Sequence, residues 1–245
     1  MGKQEQGGTS VSETSSSGRK PRQYVNFVFY QVDPAWRRLP EEQREQDRKA
    51  FVEAVKSAGQ GILMRAYTLV GIRADADIML WRVTTDLDAL QLQATAYLNT
   101  GLGRYLRPTY SYLAMAKRST YVDKISPEHE GQRQYIEPGR HKYLFVYPFI
   151  KSRDWYHATL HTRQGMMDEH IVIGNKYPSV KLNTTYSFGL DDQEFVVAFE
   201  SDYPEDFLDL VMELRESEAS RYTVRDTPTF TCLHRDLDEA VASLG

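Results

Sequence analysis

Residues 70–90, VGIRADADIMLWRVTTDLDAL, can be laid over residues 188–208, FGLDDQEFVVAFESDYPEDFL, with only a small slip. Each reads as a glycine turn, then an apolar run of strand length, then an acidic start to a helix. Gly71 falls on Gly189 and Tyr30 on Tyr147, each about 117 residues apart, so the chain carries one module twice.

Working outward, the first copy begins with YVNFVFYQV, a strand pattern. The segment LPEEQREQDRKAFVEAVKSAG follows, with Phe51, Val52 and Val55 on one helical side and Gly59 as a stop. Strands ILMRAYTLVGI and DIMLWRVT, helix DLDALQLQATAYLNTG and strand TYSYLAMAKR complete it. After the polar connector ISPEHEGQRQYIEPG the order recurs: KYLFVYPFIK, a helix around RQGMMDEHIVIG, LNTTYSFGL, EFVVAFES, the helix PEDFLDLVMELRESEAS, and TPTFTCL. The pattern βαββαβ written twice predicts an α+β protein of two fused ferredoxin-like repeats that form a dimeric α/β barrel. The expected units are an N-terminal tail over 1–21, the first repeat over 22–124, a connector over 125–140, the second repeat over 141–235, and a C-terminal tail over 236–245. The barrel interior is the expected seat of a large apolar ligand.

The chain of 245 residues is 41% hydrophobic and 26% charged, an ordinary globular composition. A net charge of −4, with no long basic block, argues against a nucleic-acid partner. Cys232 is the single cysteine, which excludes an intrachain disulfide framework and fits a reducing cytoplasm. The first twenty residues, rich in Gly, Ser and Thr, read as a disordered tail, and neither a signal-peptide core nor a membrane anchor is expected.

Strand alternation puts Tyr147, Phe149 and Lys151 on one face of KYLFVYPFIK, with Pro148 and Ile150 on the other. A lysine beside two aromatic residues either reaches the sheet edge or meets an anion, because burying an unpaired ammonium is costly. His170 shares a helical face with Met166, Met167 and Ile173, and reads either as a packed core histidine or as an axial ligand. His157 and His161 are flanked by polar residues and are expected in solvent, while His129, His141 and His234 fall in loops or near the tail. Arg133, Arg215 and Ser220 are surface groups or ligand contacts.

Taken together, VYPFIK, EHIVIGNKYP, YSFGLDDQEFVVAFESD and ELRESEAS resemble the chlorite dismutase-like haem proteins, most closely their coproheme-decarboxylating members. The specific signal is Tyr-Pro-x-x-Lys with a histidine 23 residues after the tyrosine, and the resemblance spans about residues 22 to 233. It implies peroxide-dependent decarboxylation of iron coproporphyrin III (coproheme) to haem b through a tyrosyl radical, with coproheme both substrate and redox cofactor. It makes His170 the iron ligand, Tyr147 the radical site, and Lys151, Arg133, Arg215 and Ser220 propionate contacts. Pro148, Phe149, Ile150 and Leu182 join them in the substrate pocket. Leu182, five residues before Ser187, stands where chlorite dismutases carry an arginine, and Phe149 stands where a methionine is usual. Chlorite dismutation, a haem-dependent peroxidase and a non-catalytic haem-binding protein are the alternatives. A homopentamer and a transient contact with the coproporphyrin ferrochelatase are further implications.

Overall fold

The computed structural model describes residues 21–121, 135–139 and 141–245. The expected N-terminal tail falls almost wholly outside these residues, and so do Arg133 and most of the connector.

The first repeat comprises β1 (Tyr24–Val32), α1 (Pro34–Arg37), α2 (Glu41–Ser57), β2 (Leu63–Thr68), β3 (Ile78–Thr84), α3 (Leu87–Leu98) and β4 (Leu106–Met115). The second comprises β5 (Tyr143–Lys151), α4 (Arg153–His157), α5 (Leu160–Asn175), β6 (Lys181–Tyr186), β7 (Phe195–Ser201), α6 (Pro204–Glu216), β8 (Thr223–Arg225) and β9 (Phe230–Arg235), followed by α7 (Leu237–Ala242). The matched glycines hold the same special conformation, Gly71 at φ 76° and Gly189 at φ 71°, a region that a Cβ disfavours.

Within the repeats the strands pair antiparallel in the orders β4-β1-β3-β2 and β6-β7-β5-β9. The two sheets meet at both edges, β2 on β9 through Thr68↔Leu233 and β4 on β6 through Met115↔Tyr186. Eight strands thus close a ring, which removes the open edges that either sheet alone would expose. The α+β class and the dimeric barrel are as expected.

The barrel interior is filled with side chains, contrary to expectation. Phe27, Phe29, Trp81, Tyr112, Leu144, Val146, Ala198, Phe230 and Cys232 form one buried cluster drawn from both sheets. Phe29 stacks on Phe230 at 4.0 Å and Phe27 on Trp81 at 5.2 Å between ring centroids. In an eight-stranded barrel large inward side chains suffice to occupy the lumen. Space for a ligand lies instead outside the barrel wall, under the helices of the second repeat.

The last ten residues, expected as a tail, carry α7. Leu237, Ala240, Val241 and Leu244 follow an i, i+3, i+4, i+7 stripe that is buried with the core between α2 and the first sheet. Among the described residues no helix is long and apolar enough to cross a membrane.

Candidate functional site

The outward face of β5 begins the site. Leu144 and Val146 point into the barrel, so Phe145, Tyr147 and Phe149 point toward α5 and α6. Strand β5 carries a register shift between Ile150 and Lys151 where it pairs with β8, which places Lys151 at the end of this wall. Its backbone is pinned there, the Lys151 N–H donating to Glu194 Oε2 at 2.8 Å, an oxygen that also accepts from the Tyr156 hydroxyl at 2.6 Å.

The opposite walls come from helices. Thr159 caps α5 by accepting from the Thr162 N–H at 3.2 Å, and Pro204 with Glu205 and Asp206 starts α6 in the manner helix N-termini favour. Helix α5 buries Met166 against Trp155 and Ala219, with Met167 beside them, and sets Ile173 against the cluster of Phe145, Phe199 and Phe207. His170, one turn on from Met166, lines a cavity of about 420 Å³ bounded also by Phe145, Tyr147, Phe149, Lys151, Phe207 and Arg215. That volume lies within the range of small-molecule and cofactor sites, which is about 300–1,000 Å³.

Strand β5 and helix α5 bring three polar groups to this largely apolar space. The His170 Nδ1 is buried and has no hydrogen-bond partner among the described residues. Burial, and then the positive charge of Lys151, hold the imidazole down to about 4, against a smaller upward pull from Glu169. It is therefore neutral at ordinary pH, with a lone pair free for a metal. Burial also pushes the Tyr147 phenol up, the nearby Asp226 carboxylate adding to the effect and Arg215 opposing it. The ring lies against Phe199 at 6.0 Å.

Lys151 is the third. Its Nζ donates to the Ala219 carbonyl at 2.5 Å and sits 4.6 Å from the Trp155 ring centroid and 5.2 Å from that of Phe149. Burial pulls its pKa down to about 8. An ammonium held by one carbonyl and two ring faces retains capacity for an anion.

Elsewhere on the wall, Arg215 in the last turn of α6 is ion-paired with Asp226, and the Ser220 hydroxyl donates to the Arg215 carbonyl at 2.7 Å. The structure thus brings Tyr147, Phe149, Lys151, His170, Arg215 and Ser220 to one cavity. It does not bring Pro148, Ile150 or Leu182 to the lining. Pro148 is on the other side of β5, paired with Val196, while Leu182 is half-exposed on β6 opposite Phe199. Arg133 lies outside the described residues. His157 and His161 are exposed, as expected.

Several lining residues were not singled out from sequence. Phe145 follows from the same alternation as Tyr147, and Phe207, Leu208, Val211, Met212 and Leu214 form the apolar stripe of α6. Asp226, between β8 and β9, has no sequence signal at all.

A neutral imidazole, apolar walls and a cation without a carboxylate partner among the described residues fit a flat apolar ligand carrying a metal at its centre and carboxylates at its rim. Among the described residues no group of three or more His, Cys, Asp or Glu side chains could hold a metal ion, so His170 would act as a single axial ligand to a metal brought by the ligand itself.

The chain is similar over most of its length to known proteins. The family described as Chlorite dismutase matches residues 44–235. The coproheme decarboxylase of Mycolicibacterium smegmatis is 30% identical over 223 residues, covering 90% of this chain and 94% of the relative. That of Staphylococcus carnosus is 31% identical over 218 residues, covering 80% and 85%. Among solved structures, chlorite dismutase from Candidatus Nitrospira defluvii in complex with imidazole superposes with a TM-score of 0.83 at 29% identity, covering 91% of this chain and 94% of the other.

Proposed function

Because the chain belongs to the chlorite dismutase family, we propose that it is a coproheme decarboxylase, converting coproheme to haem b with hydrogen peroxide as oxidant. The observation that carries the proposal is the convergence of Tyr147, Lys151 and His170 on one cavity. The two coproheme decarboxylase relatives support an enzyme of this type in haem biosynthesis.

Each vinyl group formed costs a propionate one hydrogen from its β-carbon, one CO2 and two electrons in all, and one peroxide accepts two electrons on becoming two waters. Bound coproheme supplies the iron at which peroxide delivers its oxidising equivalents. His170, kept neutral by burial, holds that iron from the α5 side. Tyr147 is the group that exchanges a hydrogen atom with the propionate. Its raised pKa keeps the phenol protonated, so the proton leaves only when an electron leaves with it. Lys151 fixes one propionate, and Arg215 and Ser220 receive another; Arg133 and Phe149 belong to the same proposal. The apolar walls limit water around Lys151, which strengthens its charged contact. A cytoplasmic location, a homopentamer and a transient contact with coproporphyrin ferrochelatase complete the reading.

Chlorite dismutation is less well supported, since Leu182 stands at the sequence position where chlorite dismutases carry an arginine and offers no cation to steady an oxychlorine anion. The test is to load the protein with coproheme, titrate with peroxide and follow the porphyrin by mass. Stepwise loss of two CO2 units is expected. His170→Ala should lose the ligand-dependent absorption band, whereas exposed His157→Ala should keep it. Retention of coproheme without any loss of CO2 would make the protein a haem carrier instead.

A further inference from the structure

The cavity holds two cations in unlike states. Lys151 is half-buried and its ammonium meets no carboxylate among the described residues, only the Ala219 carbonyl and the faces of Trp155 and Phe149. The Arg215 side chain is 59% exposed, yet its guanidinium is tied to Asp226, whose own side chain is only 17% exposed. Asp226 lies on the cavity wall with Tyr147, Thr223, Thr229 and Thr231.

A shielded carboxylate is an odd component for a cavity that receives an anion. It cancels the nearest cation, and it repels any carboxylate that approaches that end. A carboxylate arriving at Lys151 meets a partly shielded cation already held in place by a carbonyl and two ring faces. One arriving at Arg215 must first break the pair with Asp226, which offsets most of what the new contact contributes.

We propose that Asp226 is a specificity-determining residue that latches Arg215, so that the cavity gains little from a carboxylate at the Arg215 end. The proposal rests on the reading of the cavity as a porphyrin site. Its consequence concerns carboxylate number. A tetracarboxylic porphyrin can open the latch by exchanging its own carboxylate for that of Asp226, whereas a dicarboxylic porphyrin that puts vinyl groups at this end leaves the latch shut. Asp226 thereby narrows the difference in affinity between the two, and a substrate that loses carboxylates on conversion is not held far more tightly than its product.

The experiment uses metal-free coproporphyrin and protoporphyrin, whose fluorescence on binding reports Kd without iron ligation or turnover. Asp226→Asn should tighten coproporphyrin by roughly tenfold, the order of one freed charge-assisted contact, and leave protoporphyrin within about twofold. Asp226→Glu, which keeps the charge, should retain the parent ratio. In an Arg215→Gln background Asp226→Asn should no longer change the ratio, because the latch acts through Arg215. An unchanged ratio in Asp226→Asn, an equal change for both porphyrins, or the same change with Arg215 removed would overturn the latch while leaving the porphyrin site standing. If neither porphyrin binds the unmutated protein, the porphyrin reading fails and takes the latch with it.

Discussion

The helix-facing layers of the two repeats start from the same module and end in opposite states. In the first repeat Tyr30, Trp36, Phe51, Leu80 and Tyr97 fill the space between the sheet and α2 and α3. The Tyr30 and Tyr97 hydroxyls satisfy each other at 2.8 Å, and buried Arg82 is met by Asn26, the Leu90 carbonyl and Gln93. In the second repeat the corresponding layer packs around Phe145, Phe199, Phe207 and Leu210 but leaves a cavity beside them. Tyr147, the partner of Tyr30 in the sequence overlay, has no hydroxyl hydrogen bond among the described residues, and His170 keeps an unpartnered nitrogen. Helix α2 buries Asp47, Phe51, Val52 and Val55, whereas α5 fully buries only Met166. A duplicated fold can thus spend one copy on stability and leave polar groups unpaired in the other, where a ligand can satisfy them.

The largest effect that would test this contrast is on stability. Phe51→Ala empties a fully buried site against Tyr97 and should cost about 3–5 kcal/mol in denaturant unfolding. Phe207→Ala should cost clearly less, although its ring stacks on Phe145 at 4.0 Å, because its other side already faces the cavity. Equal costs would mean that the second layer is as tightly closed as the first.

Exchanging the matched tyrosines should separate stability from turnover. Tyr147→Phe is expected to bind coproheme but to slow decarboxylation by about 100-fold or more, the order seen when a required proton-handling group is lost. Tyr30→Phe leaves the Tyr97 hydroxyl buried and unpaired, and should cost about 1–3 kcal/mol of stability with turnover intact. Parent-rate conversion by Tyr147→Phe would remove it from the chemistry.

The smallest effect sharpens the electrostatic side of the comparison. Lys151 in the free protein has its pKa lowered to about 8, so it is charged below that pH and loses its charge above it. Affinity for a carboxylate porphyrin should therefore hold below pH 8 and weaken as pH rises, by at most about tenfold per pH unit for one linked proton. Lys151→Met should bind weakly and without this dependence. A parent-like pH profile in Lys151→Met would assign the titration to another group.

The sequence by itself determined the βαββαβ order, its duplication and the side of β5 on which Tyr147, Phe149 and Lys151 lie. These are matters of period and local turn chemistry, and alternation along a strand does not depend on distant residues. The Tyr-to-His spacing likewise pointed to an axial ligand through its resemblance to known haem proteins. Tertiary structure alone decided that the barrel lumen is packed and that the open space lies under α5 and α6. Both faces of β5 are apolar, so its pattern could not say which would meet aromatic rings and which a cavity. The same holds for the groups that set the charge of the site. Ala219 reaches Lys151 across 68 residues, and Asp226 meets Arg215 only because the segment between β8 and β9 runs past the end of α6. Such contacts are fixed by the tertiary path of the chain, and a linear pattern carries no record of them.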